Sequence, residues 1–85
     1  MVNIMVVDDH SIMREGLKVV LSRQKDFKVI GEACDGREAV SKAVKLQPDV
    51  ILMDVRMPYS GLKATVDLAQ SLPDTKILIL TVSET

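Results

Sequence analysis

The stretch Asp49-Val50-Ile51-Leu52-Met53-Asp54-Val55-Arg56-Met57-Pro58 decides how this chain folds. Val50 to Met53 are apolar without polar alternation, the pattern of a strand covered on both faces, as at the centre of a parallel sheet. The run delivers one carboxylate, Asp54, to its carboxyl end, and the segment stops at Pro58. In open α/β sheets the crevice beyond the carboxyl ends of the strands is where ligands bind. Asp54 alone also fits a turn former, because Asp can bond the backbone two residues on. The other strands decide between these readings.

Working outward, Asn3 to Val7 is a short apolar strand ending at Asp8-Asp9-His10. Ser11 follows as a helix cap, and Met13, Leu17, Val20 and Leu21 recur at helical spacing. Phe27 to Glu32 is a second strand, weakened by Gly31 as an edge strand can be. Asp35-Gly36 marks a turn, after which Ala39, Val40, Ala43 and Val44 form the stripe of a second helix that Pro48 ends. The third strand is Val50 to Met53. A third helix then carries Leu62, Val66, Ala69 and Leu72 on one face until Pro73, and Lys76 to Leu80 is a fourth strand. This β-α-β-α-β-α-β order, without a repeat or linker, predicts right-handed crossovers and a doubly wound parallel sheet.

The composition sets the limits of that reading. With 85 residues, 47% of them apolar, and a net charge of -1, the chain is one small domain or part of one. One Phe and one Tyr leave the core to aliphatic side chains. No apolar run reaches the roughly 20 residues of a membrane span, and the start lacks the pattern of a secretory signal. A cytoplasmic location and no membrane partner are therefore expected. Cys34 is the lone cysteine and has no metal-ligand spacing around it. Acids and bases nearly balance, which gives no support to nucleic-acid binding by this segment.

The chemistry gathers where three strands end. Asp8 and Asp9 follow the first strand, Asp54 the third and Thr81 the fourth, so a shared parallel sheet sets all four on one rim. Three carboxylates close together repel one another, and a divalent cation relieves this; a hard, oxygen-only donor set suits magnesium. Magnesium beside an aspartate favours phosphoryl transfer with the carboxylate as nucleophile. Thr81 would offer its hydroxyl to a phosphoryl oxygen. Singly, Asp8 and Asp9 could serve only the helix dipole and Thr81 only β propensity, but their coincidence on one rim points to a site. His10 reads as a bystander on that rim and stays outside the mechanism.

Val7-Asp8-Asp9-His10, Arg14-Glu15-Gly16-Leu17, Asp54 with Met57-Pro58, and Ile79-Leu80-Thr81 together resemble the receiver domain of bacterial two-component response regulators. The Asp-Asp-His and Arg-Glu-Gly-Leu elements are similar to the NarL/FixJ-type subfamily, whose members usually carry a LuxR-type helix-turn-helix domain after the receiver. The resemblance spans residues 1–85, read as a partial receiver domain, and implies a flavodoxin-like (CheY-like) sheet with strand order 2-1-3-4. It implies Asp54 as the phosphoacceptor and catalytic nucleophile, and Mg2+ held by Asp9, Asp54 and the backbone carbonyl of Arg56. Asp8 would act on the metal mainly through water, and Thr81 would be the switch residue that reads the phosphoryl group. The implied partners are a sensor histidine kinase, a second copy of the chain in a homodimer, and DNA only through a C-terminal domain that this sequence lacks.

Two departures from the family pattern stand out. Only Tyr59 and Ser60 separate Pro58 from Gly61, where family members usually have three residues. The chain also ends just after its fourth strand, so the family's last helix-strand-helix, with its strand-five lysine, is expected to be missing. Lys76 stands at the wrong end of the fourth strand to replace that lysine. Slow phosphorylation and self-association through the uncovered fourth strand are the expected consequences. Two alternatives belong to other classes: an interaction module that is not phosphorylated, and a phosphatase of the aspartyl-phosphate type. Such phosphatases generally need a second acid two residues after the nucleophile, and Arg56 holds that position. The chain is therefore not expected to be an enzyme of that kind.

Overall fold

Parallel pairing dominates the computed structural model, which describes residues 1–54 and 61–80, with the side chains of residues 61 and 62 set aside. Among the described residues seven elements alternate: β1 (Val2–Val7), α1 (Ser11–Ser22), β2 (Phe27–Ala33), α2 (Gly36–Leu46), β3 (Val50–Asp54), α3 (Gly61–Ser71) and β4 (Lys76–Leu80). The strands form one sheet in the order β2-β1-β3-β4, all parallel. The doubly wound parallel sheet is as the element order predicts, and the strand order is the one that the family resemblance implies. Arg56, Thr81 and the loop from Pro58 to Ser60 lie outside the described residues.

The β1–β3 register pairs Met5 with Ile51 and Val7 with Met53. Because side chains alternate across a strand, this register brings Met5, Val7, Ile51 and Met53 onto one face. There they pack with Ala39 and Ala43 of α2 and Ala64 and Leu68 of α3 in a single core. Ile4 and Val6 are buried on the opposite face, where Glu32, paired with Val6, meets Arg14 and Lys18 of α1. Between Ile4 and Met5 the β1–β2 register skips a residue beside Gly31, the irregularity that a glycine in an edge strand signals.

The helices depart from the predicted stripes. No residue of α1 is buried, and Met13 and Val20 are exposed, because this face carries α1 alone among the described helices and α1 lies over β1 and β2. Among the described side chains of α3 the buried ones are Ala64 and Leu68, whereas Val66 and Ala69 are exposed to solvent. Two residues along a helix turn about 200°, so Val66 stands opposite the Ala64–Leu68 row. That row continues to Leu72, half-buried against the core just past the helix end. Val44 of α2 is likewise exposed, although Ala39 and Ala43 are fully buried.

Local chemistry sets the helix starts. Asp35 caps α2 by accepting the Glu38 amide at 2.8 Å, and Glu38 reaches back to the Cys34 amide at 3.1 Å. This reciprocal arrangement is close to a capping box, so the residue read as part of a turn is the cap. For α1 the cap position is His10, whose side chain makes no capping hydrogen bond to the helix, and Ser11 is already helical. The Asp8 carboxylate explains the shift, since its Oδ1 accepts the His10 amide at 2.8 Å and turns the chain into the helix from upstream.

Candidate metal and phosphoryl site

Asp8 and Asp54 are the buried charged residues among those described, at 3% and 4% exposure. Each follows the last β1–β3 pair, Val7 and Met53, so adjacent parallel strands deliver them to the same rim. Asp9, one residue further, leaves 28% of its side chain exposed. One ligand atom each from Asp8, Asp9, His10 and Asp54 lies within 4.8 Å of the others. The structure thus brings together the three predicted carboxylates.

His10, which the sequence reading left out, joins them. Its Nδ1 lies 2.9 Å from Asp9 Oδ1 and 3.1 Å from Asp8 Oδ1, and in the Nδ1–H form it donates to these carboxylates. The adjacency Asp8-Asp9-His10 was the available signal, but sequence alone does not show that the ring folds back over the acids. Its side chain remains 65% exposed, at the mouth of the cluster.

The backbone of Asp8 is fixed from two sides. Its amide donates to the Ala33 carbonyl of β2 at 3.1 Å, and its carbonyl accepts from Arg14 Nη1 of α1 at 2.7 Å. Arg14 Nε also donates to Glu32 Oε1 at 3.2 Å, and Lys18 bridges Glu32 and Glu15. The hydrogen bond from Lys18, reinforced by Arg14, holds the Glu32 carboxyl below its ordinary range despite partial desolvation. Glu15 and Glu32 in turn raise Lys18. The Arg14–Glu32 link joins residues 18 positions apart on α1 and β2, which no local sequence pattern marks.

A buried pair of carboxylates with a third at the mouth is a hard oxygen donor set with the residue types that suit a divalent cation. The chemistry of the donors therefore fits a metal, with Asp54 at the carboxyl end of a central strand beside it.

The family model for the response regulator receiver domain matches residues 4–85, and the chain belongs to that family. It is 43% identical over 84 residues to the transcriptional regulatory protein DegU of Brevibacillus brevis, covering 98% of this chain and 36% of that protein. It is 49% identical over 80 residues to the oxygen regulatory protein NreC of Staphylococcus aureus, covering 92% of this chain and 37% of that protein. Among solved structures, a LuxR-family two-component response regulator from Aurantimonas sp. SI85-9A1 matches with a TM-score of 0.92 and 35% identity, covering 99% of this chain and 61% of that one. The similarity thus runs to receivers of LuxR-type regulators, and the chain spans little more than a third of the length of these curated relatives. No described helix is long and apolar enough to cross a membrane.

Proposed function

We propose that this chain is the phosphoacceptor part of a cytoplasmic two-component response regulator, and that Asp54 takes the phosphoryl group. The observation that carries this reading is the placement of buried Asp8 and Asp54 on neighbouring strand ends with Asp9 beside them. A carboxylate oxygen of Asp54 attacks phosphorus of a phosphohistidine on a sensor kinase. The P–N bond breaks as the P–O bond forms, and the histidine nitrogen keeps the electron pair. Asp9 and Asp54, with the Arg56 carbonyl, are the residues that would hold Mg2+, and Asp8 would act through a water. Bound there, Mg2+ supplies charge neutralisation of the phosphoryl oxygens. The residues of the chain orient the nucleophile: β3 fixes the Asp54 backbone, and the low exposure of its side chain limits water around the attacking oxygen.

Thr81, by the family resemblance, engages the phosphoryl group and shifts an equilibrium between inactive and active forms. By the same resemblance the output in the whole protein would be dimerisation and control of transcription through a DNA-binding domain; the name of one relative, a transcriptional regulatory protein, supports the transcriptional part. The test is intact-mass measurement after incubation with a small-molecule acyl phosphate, with Mg2+ or with a chelator. Addition of one phosphoryl group that requires Mg2+ is expected. An unchanged mass with Mg2+ present would defeat the reading.

A further inference from the structure

The acidic pocket is braced from a residue that never reaches it. Arg14 leaves only 17% of its side chain exposed, and its guanidinium spans two acceptors. Nη1 donates to the Asp8 carbonyl at 2.7 Å, and Nε to Glu32 Oε1 at 3.2 Å. Glu32 is itself anchored, its carboxylate by Lys18 and its carbonyl by Lys42 of α2 at 2.7 Å. With the Asp8 amide held by Ala33, both sides of this backbone segment are fixed just where β1 ends and the acids begin. We propose that Arg14 is a positioning residue of the metal site: through the Asp8 carbonyl it sets where the Asp8 and Asp9 carboxylates stand, and Glu32 holds Arg14 in place. This inference rests on the reading of the pocket as a Mg2+ site.

Charge and geometry make opposite claims here, which separates them. A guanidinium near the pocket repels a divalent cation, so by charge alone its removal tightens Mg2+ binding. If Arg14 acts by holding Asp8, its removal loosens binding. A lysine retains the charge, but one ammonium on a flexible stem does not reproduce the planar fork that meets two acceptors at once. Partners that orient metal ligands are typically worth 10- to 100-fold in metal affinity.

The experiment is Mg2+ titration of the 85-residue chain, followed by amide shifts of residues 8–10, for wild type, Arg14→Lys, Arg14→Ala and Glu32→Gln. The expected result is binding about ten-fold weaker in Arg14→Lys and Arg14→Ala, and a smaller loss in Glu32→Gln. Wild-type affinity in a folded Arg14→Lys, or tighter binding in Arg14→Ala, would overturn the inference, even if thermal stability fell. Should Arg14→Ala not fold, Arg14→Lys still decides, and wild-type affinity there overturns the inference. A wild-type chain with no Mg2+ response overturns the metal reading and this inference together, an outcome distinct from variants that bind like a wild type that does respond.

Discussion

Asp8 and Asp54 leave neighbouring parallel strands at matched positions, one residue beyond the Val7–Met53 pair, and both are almost fully buried. Side-by-side burial of two acids costs stability unless something offsets their charge. On the proposed reading, a cation bound among Asp8, Asp9 and Asp54 contributes to that offset.

Mg2+ should accordingly raise the melting temperature of the wild-type chain, because a ligand bound only to the folded state stabilises it by mass action. Asp9→Ala should abolish most of that rise, since one of the three carboxylates is lost. Thermal melts in Mg2+ and in chelator check this. An equal rise in Asp9→Ala and wild type would contradict the donor set.

Glu32 gives a prediction in pH. Its folded-state carboxyl titrates below the ordinary value of 4.5, chiefly because Lys18 and then Arg14 hydrogen-bond its charged form. A depressed folded value means stabilisation that is complete above the ordinary value and is lost as pH falls through the folded one. Glu32→Gln should melt below wild type near neutral pH, with the gap closing as pH drops below about 4.5. Lys18 behaves in the opposite sense, since its value lies above 10.5 through Glu15 and Glu32: its contribution is full below that value and fades as pH rises through the folded one. A gap for Glu32→Gln that stays constant into acid would contradict the assignment.

Two positions on α3 test which face is buried. Leu68 is 0% exposed and Val66 is 55% exposed, so Leu68→Ala should cost about 2–5 kcal/mol and Val66→Ala within about 0.5 kcal/mol. Denaturant melts of the two variants measure the difference. A cost for Val66→Ala as large as that for Leu68→Ala would contradict this assignment of the buried face.

β4 is an edge of the sheet among the described strands, with Leu78 53% and Ile79 40% exposed. Apolar edge strands recruit further strands. Sedimentation of the 85-residue chain should show mass rising with concentration, and Leu78→Lys should shift it toward one chain. A single-chain mass for wild type throughout a high micromolar series would oppose this.

Much of this architecture is legible because strand-length runs alternate with helical spacings, and three of the four runs lead into a carboxylate or a hydroxyl. The run Val50 to Met53 and the doublet Asp8-Asp9 mark in the sequence the strand ends at which the carboxylates gather. The helix faces were less legible. Val66 and Leu68 are both apolar, and only packing on the sheet decides which of two residues on nearly opposite sides is buried. The α1 stripe showed the same weakness, since Met13 and Val20 have helical spacing but little sheet beneath them. Ser11 has the chemistry of a cap but lies inside the helix, because the Asx turn of Asp8 starts the helix from upstream. The Arg14 brace was hidden for a different reason: it depends on a carbonyl and a distant carboxylate, and neither leaves a mark at short range in sequence.

The most direct test of the account is to locate the phosphoryl group. After treatment with an acyl phosphate and Mg2+, peptide mapping by mass spectrometry should place the modification on Asp54, and Asp54→Asn should remain unmodified. Modification on Asp8 or Asp9 in the wild-type chain, or undiminished modification of Asp54→Asn, would contradict it.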